Sequence, residues 1–195
     1  DDRHDDNVIV SPADSVYQGR WPITPHSKIT VKGWKWSVLE LLDGSPYQER
    51  FNGGTFTHSF LNVNDYHRFH VPIGGVIKEA RKIPGNVVMD VVKKADGTLD
   101  VVDGTGYQFT QDRGLIIIDS PLGLVAALPI GMAQVSSVNL TVQAGATLVK
   151  GEEFGFFSFG GSDIVMLFEA GKIRIDAKIG THYNQGRAIG HAVNG

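Results

Sequence analysis

From residue 75 onward the chain alternates short apolar runs with tight-turn chemistry, and no other feature restricts its fold so strongly. The runs are GVIKEARKI, NVVMDVV, TLDVV, YQFTQ, RGLIIID, GLVAALPIGMAQVSSVNLTV and ATLVKGEEFGFFSF. Between them stand PG at 84–85, ADG at 95–97, DGTG at 103–106, SPLG at 120–123 and QAG at 143–145. Glycine reaches positive φ, proline presets φ, and aspartate bonds its own backbone, so each interruption favours a turn. Strands recurring every roughly 8–12 residues with little helix between them predict a sandwich or barrel, not a βαβ sheet. The expected fold is mainly β: a compact β-sandwich or barrel-sandwich-like single domain over residues 1–195, with one or two short helices. WSVLELL at 36–42 is the convincing helix, about two turns long, with Ser37 as N-cap and Gly44 just past its end.

Composition excludes several classes. With 195 residues the chain holds one domain of ordinary size. A net charge of −3 without a basic stripe argues against nucleic acid as a partner. Zero cysteines exclude disulfides, thiolate nucleophiles and Cys-ligated metal. The apolar region 115–132 is broken by Asp119, Pro121, Pro129 and glycines, so it supplies no spanning helix. DDRHDDN at 1–7 is acidic where a signal peptide would be basic and apolar, and reads as a solvated tail or the cut end of something longer. The chain as given therefore reads as soluble, with peripheral membrane association open if a segment precedes it.

Three places carry candidate chemistry. VIV at 8–10 runs into the turn SPAD, which puts Asp14 at a strand end as an Asx-turn residue or as a carboxylate that orients a histidine. In NDYHRFHVP, His67 and His70 are three apart: one face of a helix, but opposite faces of a strand. The following VPIGG ends any helix quickly, so one histidine can face a site while the other supports it. In FGFFSFGGSDIVMLFEAG at 154–171, two apolar strands flank Gly160, Gly161 and Ser162. The glycines allow unusual φ/ψ and close approach to the peptide, and Ser162 supplies a hydroxyl beside it. GGS is either a bulge or turn, or a serine poised to attack the peptide bond ahead of it. G-x-S-x-G, the mark of a nucleophile elbow, is absent. An intramolecular target, the Gly161 carbonyl, is what remains.

VSPADSVY, KGWKWSVLELL, FNGGTFTHSFLNVNDYHRFHVPIGGVI and VKGEEFGFFSFGGSDIVMLFE occur in that order over nearly the whole chain. In these segments the sequence resembles the phosphatidylserine decarboxylases and their pyruvoyl-dependent relatives. The resemblance implies a self-processing carboxy-lyase. Asp14 would hold His70, His70 would deprotonate Ser162, and Ser162 Oγ would attack the Gly161 carbonyl to give an ester. Elimination and loss of ammonia would leave a pyruvoyl group derived from Ser162, dividing the chain into 1–161 and 162–195, which stay associated. In the family's reaction the pyruvoyl ketone forms a Schiff base with the substrate amine and accepts electrons as carbon dioxide departs. By motif position His67 would face the carboxylate or return the proton; Tyr66, Phe69 and Gly160 would line the pocket.

Three departures bear on the substrate. GGSD stands where many phospholipid-acting members read LGST, so Asp163 brings a charge next to Ser162. Ser15 follows Asp14 where glycine is common. QDRGLIIIDSPLGLVAALPIGMAQVS at 111–136 lacks the N-E-R phrase of typical bacterial members. The substrate is thus a serine phospholipid or, alternatively, a free amino acid such as tryptophan, as in the soluble decarboxylases of the superfamily. A homodimer is compatible with either. A non-catalytic barrel-sandwich binding module, suggested by KGEEFG, lacks the lysine that cofactor attachment needs at a hairpin tip. A zinc hydrolase on His67, His70 and Asp14 lacks a clear third ligand, so no metal is expected.

Overall fold

The computed structural model describes residues 1–24, 28–31, 34–84, 90–93, 99–102, 112–131, 138–158 and 162–193. The expected run at 107–111 and the turns at 95–97 and 103–106 lie outside the described residues. An eight-stranded sheet organises the rest, in the order Thr147–Leu148, Gly75–Ile83, Arg113–Ser120, Gly123–Ile130, Ser162–Phe168, Thr55–Leu61, Ser15–Pro22, His182–Tyr183. Every pairing in it is antiparallel. The expected SPLG turn joins two of these strands, with Ser120 opposite Gly123. The sheet does not close into a barrel.

The three middle strands, Arg113–Ser120, Gly123–Ile130 and Ser162–Phe168, are buried almost throughout. A strand covered on one side alternates apolar and polar residues; one covered on both sides reads as a continuous apolar run. That is why RGLIIID and SDIVMLF look as they do. On one face Leu61, Ile116, Val125, Ile164, Met166 and Phe168 share a core with Ile9, Phe69, Val138, Phe154, Phe157, Ile175 and Ile189. Those partners come from two smaller sheets, Val138–Leu140 with Glu153–Phe157 and Arg68–His70, and Val8–Val10 with Ala188–Ala192 and Ile173–Ile175. The opposite face buries Leu115, Ile117, Leu128, Val165 and Leu167 against Ile23, Leu41, Leu42 and Phe51.

The expected helix is shorter than its pattern. Trp34–Ser37 pairs as a strand with Lys28–Val31, leaving a single α turn at Val38–Leu41. So short a turn is not stable on propensity alone; two guanidinium groups tie it to the sheet. Arg113 donates through Nε to the Leu41 carbonyl at 2.9 Å and through Nη2 to that of Glu40 at 3.0 Å. Arg81 Nη2 donates to the carbonyls of Leu42 and Asp43 at 2.9 and 2.8 Å. These are the orphan acceptors at a helix end, where cations are favourable. Burial pushes the Arg113 pKa below its usual value, with Asp43 opposing the shift. Asp43 and Gly44, at φ 38° and 71°, then turn the chain away.

Candidate active site

Ser162 opens its strand and is almost wholly buried, at 1% exposure. It pairs with Leu61 in the neighbouring strand. Its hydroxyl has no hydrogen-bond partner among the described residues. Such an orphan costs about 1–3 kcal/mol and calls for an explanation. Strand alternation sends Ser162 to the same face as Ile164, Met166 and Phe168, into the core shared with Leu61, Phe69 and Phe157. Gly160 and Gly161, the other members of the step, lie outside the described residues.

His70 closes the strand Arg68–His70, which pairs with Glu153–Phe157 across an irregular register. The pattern exposed, buried, intermediate sends Phe69 inward and turns Arg68 and His70 the other way. Phe69 is fully buried, 4.8 Å from the Phe154 ring and 4.9 Å from that of Phe157 between centroids. It belongs to the core that the Ser162 side chain faces. Its ring is why residue 155 is glycine: a Cβ there would lie 2.3 Å from Phe69 Cε2 and 2.2 Å from the Asn139 carbonyl oxygen.

The His70 ring is fixed at both nitrogens. Nδ1 is 2.8 Å from the Gly151 carbonyl oxygen, which can only accept, so Nδ1 carries the hydrogen. In the neutral ring Nε2 then keeps its lone pair, toward which the Tyr66 hydroxyl donates at 3.2 Å. Tyr66, 45% exposed, stacks on the imidazole. His67 is half-buried, with its ring edge-on to Phe157 at 6.4 Å and its carbonyl accepting the Phe157 N–H at 2.9 Å. The loop carrying these residues is closed by Asp65, which accepts from the Asn62 N–H at 2.7 Å and meets His182 Nε2 at 3.1 Å.

The sequence leads one to expect Asp14 on the His70 ring, and the structure places it elsewhere. Its carboxylate accepts the Gln185 N–H at 2.7 Å. The two residues are related through backbone instead, because the Pro12 carbonyl, two residues before Asp14, accepts the His70 N–H at 2.8 Å. Nor is His70 bonded to Ser162: its Nε2 meets Tyr66.

Sequence reasoning missed one pair. His58 Nε2 and Asp163 Oδ1 are 2.5 Å apart, with side chains only 3% and 5% exposed. His58 is opposite Val165, and Asp163 is opposite Phe60, so the two are diagonal neighbours on one face. By alternation this is the face away from the Ser162 hydroxyl. The charge expected beside Ser162 therefore lies under the sheet. The available signal was Phe56, His58 and Phe60 at strand spacing, a lone histidine on an apolar face. Among the described residues no three His, Asp or Glu side chains are grouped to hold a metal, and no helix is long and apolar enough to cross a membrane.

A family model described as phosphatidylserine decarboxylase matches residues 2–191. A phosphatidylserine decarboxylase proenzyme of Fusobacterium nucleatum is 32% identical over 182 residues, 90% of this chain and 57% of that protein. One from Clostridium novyi is 33% identical over 178 residues, 90% of this chain and 58% of the relative. Phosphatidylserine decarboxylase proenzyme 3 of Schizosaccharomyces pombe is 34% identical over 198 residues, 96% of this chain and 20% of its own length. The chain thus spans little more than half of the two bacterial relatives, and a fifth of the yeast one.

Proposed function

The chain belongs to the phosphatidylserine decarboxylase family, and on that premise we propose that it is a self-processing, pyruvoyl-dependent carboxy-lyase acting on a serine phospholipid. One observation carries the reading: a buried hydroxyl without a partner among the described residues heads the strand that follows the Gly-Gly step in sequence. A catalytic role is one of the explanations such a group admits, and here the hydroxyl stands directly beside the Gly-Gly peptide it would attack.

In the proposed processing, Ser162 Oγ adds to the Gly161 carbonyl and displaces the residue 162 nitrogen, converting amide to ester. Loss of the Ser162 α-hydrogen then expels the Gly161 carboxylate and leaves dehydroalanine. Its imine tautomer takes up one water and releases ammonia, giving a pyruvoyl group at residue 162. The surroundings fit a neutral ketone, because residue 162 is buried on a face shared with Leu61, Ile164, Met166 and Phe168. When present, the pyruvoyl group supplies a carbonyl electron sink for loss of a carboxylate next to an amine.

The chain's own residues do the rest. His70, with Nδ1 committed to Gly151, keeps Nε2 as the base for Ser162, and to reach that hydroxyl the ring leaves Tyr66 and turns toward the face that Phe69 occupies. Asp14 fixes the 11–14 turn against Gln185, and that turn holds the His70 backbone through Pro12. His67, with its ring against Phe157, handles the substrate carboxylate or returns the proton. The fragment 162–195 stays in place because Ile164, Val165, Leu167 and Phe168 are buried between neighbouring strands. At about 2 kcal/mol for each such side chain, burial outweighs the single severed peptide link.

Intact mass under denaturing conditions tests the reading. Two fragments divided after Gly161 are expected, the smaller lighter than its sequence and lacking a free amine. Carbon dioxide should then be released from phosphatidylserine vesicles and not from free serine or tryptophan. A single uncut chain overturns the processing; release from a free amino acid alone overturns the phospholipid.

A further inference from the structure

Cutting before Ser162 creates a mechanical problem that the fold must solve. Residue 162 becomes a chain end, and among the described residues it pairs on one side only, with Leu61. The strand on the other side first engages at Asp163, opposite Ile130. Strand ends held by so few ladder bonds fray, opening at little free-energy cost. Yet a catalytic carbonyl at this end must keep its orientation to within a few tenths of an ångström.

We infer that His58 and Asp163 form a clamp that holds the newly made chain end in register, and so are positioning residues for the reaction proposed above, on which this inference rests. Asp163 is the residue next to the cut and belongs to fragment 162–195; His58 belongs to fragment 1–161. Their 2.5 Å contact therefore joins the two fragments one residue beyond the severed bond. It runs diagonally across the pairing of Ser162–Phe168 with Thr55–Leu61, and so resists both fraying and slippage of that register. Both side chains are buried, which keeps water from competing for the bond. The carboxylate lies on the face opposite the Ser162 side chain, so it orients the peptide without touching the reacting group.

A pair that merely supports the core would matter equally before and after the cut, whereas a clamp for a free end matters after it. Asp163→Asn and His58→Gln are therefore each made twice, in the native chain and in a Ser162→Ala chain that stays whole. Hydrogen exchange of the amides at 163–165 is the first measurement. In the cut protein, exchange is expected to rise about tenfold or more, and in the whole protein no more than about threefold. Activity is the second: kcat falls about tenfold while KM stays within about twofold, because positioning and not binding is lost.

Exchanging the pair, His58→Asp with Asp163→His, should recover part of both effects. Equal exchange in the cut and whole backgrounds, or unchanged kcat, overturns the clamp. A variant that fails to be cut also overturns it, since the pair would then act before the cut. If Asp163→Asn does not fold, His58→Gln is read by the same criteria. If the native chain itself remains whole by mass, the processing reading fails instead, and the two failures are distinguished.

Discussion

Nδ1 of His70 lies 2.8 Å from the carbonyl oxygen of Gly151, and this one bond fixes which ring nitrogen is free. A carbonyl cannot donate, so the neutral ring keeps its lone pair on Nε2, where the Tyr66 hydroxyl bonds it. His70→Ala should therefore slow the cut before Ser162 by about 10²–10⁴-fold, the usual contribution of a general base. Tyr66→Phe removes a group that competes for the lone pair. The cut should then persist and quicken up to about fivefold, equivalent to about 1 kcal/mol of a neutral hydrogen bond. Mass spectra taken over time after synthesis measure both. A Tyr66→Phe protein that stays whole would mean that the phenol relays the proton.

His67 is placed differently, with its ring against Phe157 and its carbonyl holding the Phe157 N–H. The backbone bond survives any side-chain change, so His67→Ala should fold and be cut normally. Turnover of phosphatidylserine should fall about 10²-fold or more if the ring handles substrate protons. An uncut His67→Ala protein would exchange the roles assigned to the two histidines.

Much of this was legible in the sequence, for a local reason. GVIKEARKI coincides with the strand Gly75–Ile83, and RGLIIID falls one residue short of Arg113–Ser120, because turn chemistry marks their ends. WSVLELL was misread because its apolar spacing suits either a helix or a strand, and pairing with Lys28–Val31 claimed its first residues. Long-range side-chain partners leave no local trace. Nothing in VSPADSVY says that Asp14 bonds a backbone N–H at Gln185, or that Asp163 finds His58. The reading of Asp163 as a charge beside Ser162 overlooked alternation: neighbours in a strand face opposite ways.

Gly155 shows how the site depends on packing behind it. A methyl group there would meet the Asn139 carbonyl oxygen at 2.2 Å and the Phe69 ring at 2.3 Å. A backbone atom cannot yield as a side-chain tip can, so Gly155→Ala should cost about 3 kcal/mol or more. Phe69 directly precedes His70, and its displacement would carry the base with it. The expected outcome is a lower urea midpoint together with a slower cut. An unchanged midpoint would show that the strands at 68–70 and 153–157 leave room for a methyl group between them.

Tyr17 supplies a pH prediction of definite sign. Its hydroxyl is buried without a partner among the described residues, and burial pushes its pKa up to about 12 against a weaker opposing pull from Arg20. The unfolded chain gives up this proton near pH 10. The folded state retains it longer, so this stability is fully present below about pH 10 and is lost as pH rises through 12. Allowing for partial solvent screening, the loss is about 1–2 kcal/mol. In Tyr17→Phe this dependence on pH disappears, and so does the cost of burying an unbonded hydroxyl, about 1 kcal/mol. Urea unfolding at pH 8 should find the variant as stable as the parent or slightly more so, and between pH 10 and 12 its stability should fall less steeply. Parallel decline of the two proteins across that range would show that the phenol is ionised as readily in the folded chain as in the unfolded one.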